Sequence, residues 1–166
     1  MRKAAENREK GEMNMSYLTA DRLVSGQEGR AYLKTDGQNR ELLYLKSVTA
    51  SVVKRKTAVR TLGRRGDQFK SAGFSGSGKM VVYYVTSLFR EKMLEYMKTG
   101  VDTSFDIVII NEDPQSGCGV QSMVLKNCNL DKVVLAKLDV SEDFLDEELS
   151  FTFEDAEMLS QFDEGE

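Results

Sequence analysis

The 166-residue sequence contains no histidine, no tryptophan, one proline and two cysteines. Without histidine there is no Ser-His-Asp or Cys-His nucleophile system and no His-ligated zinc site. Cys118 and Cys128 cannot make a four-cysteine metal site. Their spacing permits a disulfide, but a pair of reduced thiols is the expected state. Acids are numerous, yet none falls into a ligand pattern, so no metal and no cofactor is expected. No apolar run is long enough to cross a membrane, and no membrane anchoring is expected. The N-terminal MRKAAENREKGE lacks the apolar core of a signal peptide. Residues 1–25 read as a charged, flexible arm, with Met13 or Met15 as alternative natural starts.

What the chain does have is charge in blocks. The formal net charge is −4, which argues against a general nucleic-acid coat. Between Ala50 and Ala72, however, Lys54, Arg55, Lys56, Arg60, Arg64, Arg65 and Lys70 face a single acid, Asp67. Between Asp139 and Glu166 there are twelve acids and no Lys or Arg. Such runs usually mark solvated faces. The sharper reading is that the basic segment of one subunit meets the acidic segment of another. Arg65-Gly66-Asp67 is an adhesion triplet in letters, but nothing else in the chain supports that use.

The stretch GFSGSGKM, residues 73–80, resembles a phosphate-binding loop. Met80 stands where Ser or Thr is needed to hold magnesium. The following VVYYV is β-branched and aromatic and reads as a strand. A phosphate loop must open a helix, whose N–H groups hold the anion. Gly76 and Gly78 are better read as one face of a strand that another backbone or a bend approaches closely.

Elsewhere the pattern is mostly strand. EGRAYLK and RELLYLKSV flank Thr35-Asp36-Gly37-Gln38, a hairpin signal for a type I′ turn. SVTASVVKRKTAV reads as a longer strand, and RTLGRRGDQFKSAG as a loop. One helix is expected after Ser87 as cap, with Phe89, Met93, Tyr96 and Met97 as a core stripe and Gly100 as stop. TSFDIVII, VQSMVLKNCNL, DKVVLAKLDV and LSFTFED read as strands, with a polar turn between Asn127 and Asp131. The fold class is mainly β: an antiparallel β-sandwich or barrel with one flanking α-helix near 87–99. The β domain covers 26–155, and 156–166 reads as a frayed acidic tail.

The order of SGQEGRAYL (25–33), LGRR (62–65), GFSGSGKMVVYYVTS (73–87), YMKTG (96–100) and LDVSEDFLDEELSFTFED (138–155) resembles the tail tube proteins of contractile-tailed phages and phage-tail-like particles of the PBSX type. The resemblance implies a subunit that catalyses nothing and self-assembles into hexameric rings stacked as a hollow tube. Inner strands would join edge to edge into one barrel around the lumen. Implied partners are the chain itself, a tail sheath protein, and tape-measure, baseplate and tail-terminator proteins. DNA would pass through the lumen if the particle is a phage and not a bacteriocin. The implied location is a virion tail or tail-like particle made in the bacterial host cytoplasm.

On that reading Gly76, Gly78, Lys79, Met80, Val82 and Tyr84 belong to a tube-wall strand. A DNA conduit should not bind DNA along its length. Lys54, Arg55, Lys56, Arg60, Arg64, Arg65 and Lys70 are therefore expected at inter-ring or inter-subunit interfaces, with Glu147 and Glu148 as partners. The alternative is a nucleic-acid-binding β-barrel that uses the basic 54–70 segment, with Phe69 and Phe74 as the nearby stacking candidates.

Overall fold

A computed structural model describes residues 17–163. Two single 3₁₀ turns, Ala20–Arg22 and Gly26–Glu28, lead into eight strands and one helix. The strands are β1 (Arg30–Thr35), β2 (Gln38–Glu41), β3 (Leu45–Val59), β4 (Gln68–Tyr83), β5 (Phe105–Glu112), β6 (Val120–Lys132), β7 (Asp146–Phe153) and β8 (Asp155–Ser160). Helix α1 (Leu88–Thr99) lies between β4 and β5. Residues 1–16 of the anticipated arm, with both alternative starts, lie outside the described residues, as do 164–166 of the anticipated tail.

All pairings are antiparallel, in the order β2-β1-β5-β6-β7-β4-β3, with β8 on β6. Strand β6 belongs to two sheets. Its first part pairs with β5 on one side and β8 on the other, and its last residues pair with β7. Between these parts Asn127 takes φ 54°, and its N–H donates to Asp106 Oδ1 at 2.9 Å. Asparagine tolerates the left-handed region because its short polar side chain meets little steric conflict there. The anticipated turn at 127–131 is therefore a bend within one strand. Residues 133–145 are irregular, so DKVVLAKLDV does not form the expected strand.

Residues of both sheets share one core. It includes Leu33 of β1, Ile107 of β5, Leu125 and Cys128 of β6, Leu149 and Phe151 of β7, and Met80 and Val82 of β4. Period-2 alternation is cleanest in β7, where Glu147, Leu149, Phe151 and Phe153 point in and Glu148, Ser150 and Thr152 point out. Phe89 of α1 is also buried and meets Phe105 at 6.5 Å between ring centroids. The helix stripe does not continue inward: Met93 is half-buried, and Tyr96 and Met97 are exposed. At the helix start the Thr86 hydroxyl, not Ser87, accepts the Leu88 N–H, and Gly100 ends the helix at φ 72°. Both cysteines are free, and burial pushes the Cys128 thiol up to about 12.

The Asp36-Gly37 turn takes positive φ at both residues, as a type I′ hairpin requires. RELLYLKSV is broken at 42–44, where Leu42 turns into the core and separates β2 from β3. Strand β4 begins at Gln68, so the loop shrinks to 60–67, and residues 68–73 pair with β3. The C-terminal segment 155–160 is paired with β6 and not frayed.

Gly78 sits opposite Phe151, and Gly76 opposite Phe153. A Cβ on Gly78 would lie 2.3 Å from Phe151 Cζ, and one on Gly76 2.5 Å from Phe153 Cε2. Both rings are buried and cannot swing away. Gly78→Ala should cost about 1–3 kcal/mol in chemical denaturation through overpacking. Gly66→Ala, with open space around it, should change stability by less than about 1 kcal/mol.

Candidate functional site: an assembly surface

The β3–β4 hairpin supplies the most unusual surface. Strand β7 pairs with β4 only along Gly76–Tyr83. Residues 68–75 of β4 pair with β3 alone. At ~3.3 Å per residue this free ribbon projects on the order of 25 Å. Every residue from Ser51 to Ser75 is exposed, including Val52, Val53, Val59, Phe69 and Phe74. An isolated two-stranded ribbon is marginal in water, and an apolar one invites association. Among the described residues no strand pairs with the outer edge of β3.

The structure distributes the basic residues along this ribbon. Lys54, Arg55 and Lys56 lie on β3, Lys70 on β4, and Arg60, Arg64 and Arg65 in the connecting turn. All are exposed, and Arg60 pairs with Asp67 at 3.5 Å. Gly76, Gly78, Met80 and Val82 point into the core of their own fold, so the outward side of β4 is Ser75, Ser77, Lys79, half-buried Val81 and Tyr83. Tyr84 lies just beyond the strand, its N–H bonded to the Leu145 carbonyl. Lys79 pairs with Glu148 at 3.3 Å.

Across the sheet the outward face forms polar rows. One row runs Ser51, Ser77, Thr152, Asn129, and the next Thr49, Lys79, Ser150, Lys132. Hydroxyls dominate, and the Lys79 charge is matched by Glu148. GFSGSGKM lies wholly within β4, so its N–H groups serve a strand and open no helix.

Glu147 is the correction. It is buried inside its own fold and is not available at a surface between copies. Arg90 Nη1 donates to both Glu147 oxygens at 3.0 and 2.9 Å, and the two side chains are 12% and 1% exposed. Burial raises the Glu147 carboxyl above its ordinary range, while Arg90 pulls it back. The guanidinium also stacks 4.1 Å from the Tyr84 ring centroid and donates to the Thr86 carbonyl. The Tyr84 hydroxyl accepts the Lys137 N–H at 3.2 Å, and Lys137 Nζ donates to Glu142 and to the Asp146 carbonyl. This node ties α1, the end of β4, β7 and segment 133–145 together. The signal in sequence was parity: Glu147 stands two before Leu149 and four before Phe151.

Residues 16–160 match a family model described as phage tail tube protein. The chain belongs to the phage tail tube family. This tail tube protein is 39% identical over 138 residues to the phage-like element PBSX protein XkdM of Bacillus subtilis (strain 168), across 83% of this chain and 91% of that one. It is 38% identical over 144 residues to YqbM of the same organism, across 87% and 95%. In fold it is similar to the tube-terminating cap of the anti-feeding prophage, with TM-score 0.62, 8% identity and coverage of 90% and 99%. It is likewise similar to a chain of the sheath-tube complex of the PVC extracellular contractile injection system, with TM-score 0.56, 12% identity and coverage of 79% and 88%.

Two outcomes test the buried node. Glu147→Ala strands the Arg90 charge and should cost about 3–5 kcal/mol, whereas Glu147→Leu with Arg90→Met should cost far less in the same denaturation assay. Asp146 is held below the ordinary aspartate range, first by the Lys46 hydrogen bond. Its stabilisation is present above the ordinary aspartate range and is lost as pH falls through the lower folded value. Asp146→Asn should make the acid limb of a stability–pH curve shallower.

Proposed function

We propose that this tail tube protein closes into six-membered rings that stack into a hollow tube. The observation that carries the reading is the β3–β4 ribbon. It is exposed on both faces, rich in apolar residues and unpaired at its edge. Strand edges left open in a monomer are satisfied when each subunit adds its sheet to the next, and ring closure ends sideways growth.

The outward face of the β3-β4-β7-β6 sheet is the channel lining in this reading. Its hydroxyl rows and the Lys79–Glu148 pair supply water-like hydrogen bonding, and Lys132 at the margin is the one cation of these rows without an ion pair among the described residues. Such a surface lets a hydrated polyanion or an extended polypeptide pass without a strong binding site. The basic ribbon serves contacts between subunits. A sheath covers the tube, and tape-measure, baseplate and terminator proteins meet its ends. The tube acts by shape and catalyses nothing.

Electron microscopy of the concentrated protein, or of particles from the producing cell, should show straight hollow tubes or six-membered rings. A tube reconstruction with Lys54, Arg55, Lys56, Arg64 and Arg65 lining the channel would contradict the assignment of the faces.

A further inference from the structure

The β3–β4 hairpin carries different chemistry at its two ends. Its turn presents Leu62, 104% exposed, beside Arg64 and Arg65. Among the described residues neither of these arginines forms a salt bridge; the turn's one ion pair joins Arg60 to Asp67. At the other end Leu43, Tyr83, Val85 and Phe144 line an open groove of about 570 Å³. Leu43, Val85 and Phe144 are 83%, 74% and 79% exposed there. Exposed Asp143, without a salt-bridge partner among the described residues, adjoins Phe144 in sequence, with Glu142 beside it.

We infer that the hairpin turn of one copy seats in this groove of a second copy. Leu62 meets Phe144 and Val85, and Arg64 and Arg65 meet the Asp143 edge. The inference rests on the tube reading and supplies the acceptor for the basic turn. The occupant is a second copy because one chain carries both halves: an apolar knob with cations and an apolar groove with an anion. The halves sit at opposite ends of one antiparallel ribbon, so a single molecule cannot join them to each other. A contact between two different surfaces is heterologous and builds either a ring or an open stack; with the free β3 edge given to ring closure, the turn and the groove are left for the stack. That is the geometry of ring-on-ring stacking. The acceptor is therefore the Phe144 groove and not Glu147, which the subunit uses internally.

The groove is held in shape by the fold. Lys137 binds Glu142 and Asp146, and Tyr84 holds Lys137, which together pin the segment that presents Phe144. Asp143 takes no part in this bracing, so its charge can be reversed without loosening the groove.

The test uses charge reversal in the full chain, read as mean tube length by electron microscopy at matched concentration. Arg64→Glu with Arg65→Glu should shorten tubes about tenfold, and Asp143→Lys alone should do the same, since reversed charges now repel across the contact. Combining all three changes should return tube length to within about twofold of the original. Leu62→Ala, which alters no charge, should also shorten tubes about tenfold. Melting temperatures of the unassembled variants should match the original, because all four positions are exposed. Tubes of normal length from either charge-reversed partner, or no recovery on combination, would overturn the inference while leaving the tube intact. An original chain that forms neither tubes nor rings would remove the tube reading and this contact with it.

Discussion

Phe151 and Phe153 lie across Gly78 and Gly76, and this close approach of two rings to bare backbone fixes how the long hairpin leaves the body. A side chain at either glycine would hold β4 away from the core and tilt the ribbon beyond it. Because the rings fill that space, the root of β4 is rigid, while its outer half has only β3 for company. The subunit is thus a well-packed body with a stiffly mounted, unsatisfied arm. Its stability resides in the body, and in the proposed tube its capacity to associate resides in the arm.

The charges follow the same division. Where they are buried they are matched inside the subunit, as in Arg90 with Glu147. Where they are exposed on the turn, the cations outnumber the acids within reach. A buried pair adds little net stability but is costly to break, so it serves to fix the position of the helix and of segment 133–145. Exposed cations cost the monomer little and are available to a neighbour.

Much of this was legible in sequence. The Asp36-Gly37 turn, the failure of GFSGSGKM as a phosphate loop and the inward row of β7 each follow from local rules: positive φ at glycine, a strand where a helix was required, and strict alternation. The misreadings share a cause. DKVVLAKLDV has strand composition but, beyond Lys132, no strand beside it, and propensity without a partner does not make a sheet. Asn127 looked like a turn because it takes a turn's conformation, yet its neighbours continue the strand on both sides. Residues 68–73 read as a loop because charge and glycine suppress the apolar pattern, although 68–71 pair in register with β3 and Ala72 and Gly73 fall in a bulge of the same ladder. Glu147 reads outward from its charge and inward from its parity, and parity prevails. The groove at Phe144 gave no signal, since its residues come from three separate segments and converge only in the fold.

The shared strand β6 has a mechanical meaning. In most sandwiches the two sheets are joined by side-chain packing and by loops, and a sideways pull makes one slide over the other. Here a single unbroken backbone passes from one sheet into the other through the bend at Asn127. A load entering through β7 and the hairpin crosses hydrogen bonds into β6, runs along its covalent backbone past Asn127, and leaves through hydrogen bonds to β5 and β8. The subunit has no slip plane between its layers, and a column built from such pieces would buckle at its joints before its parts deformed.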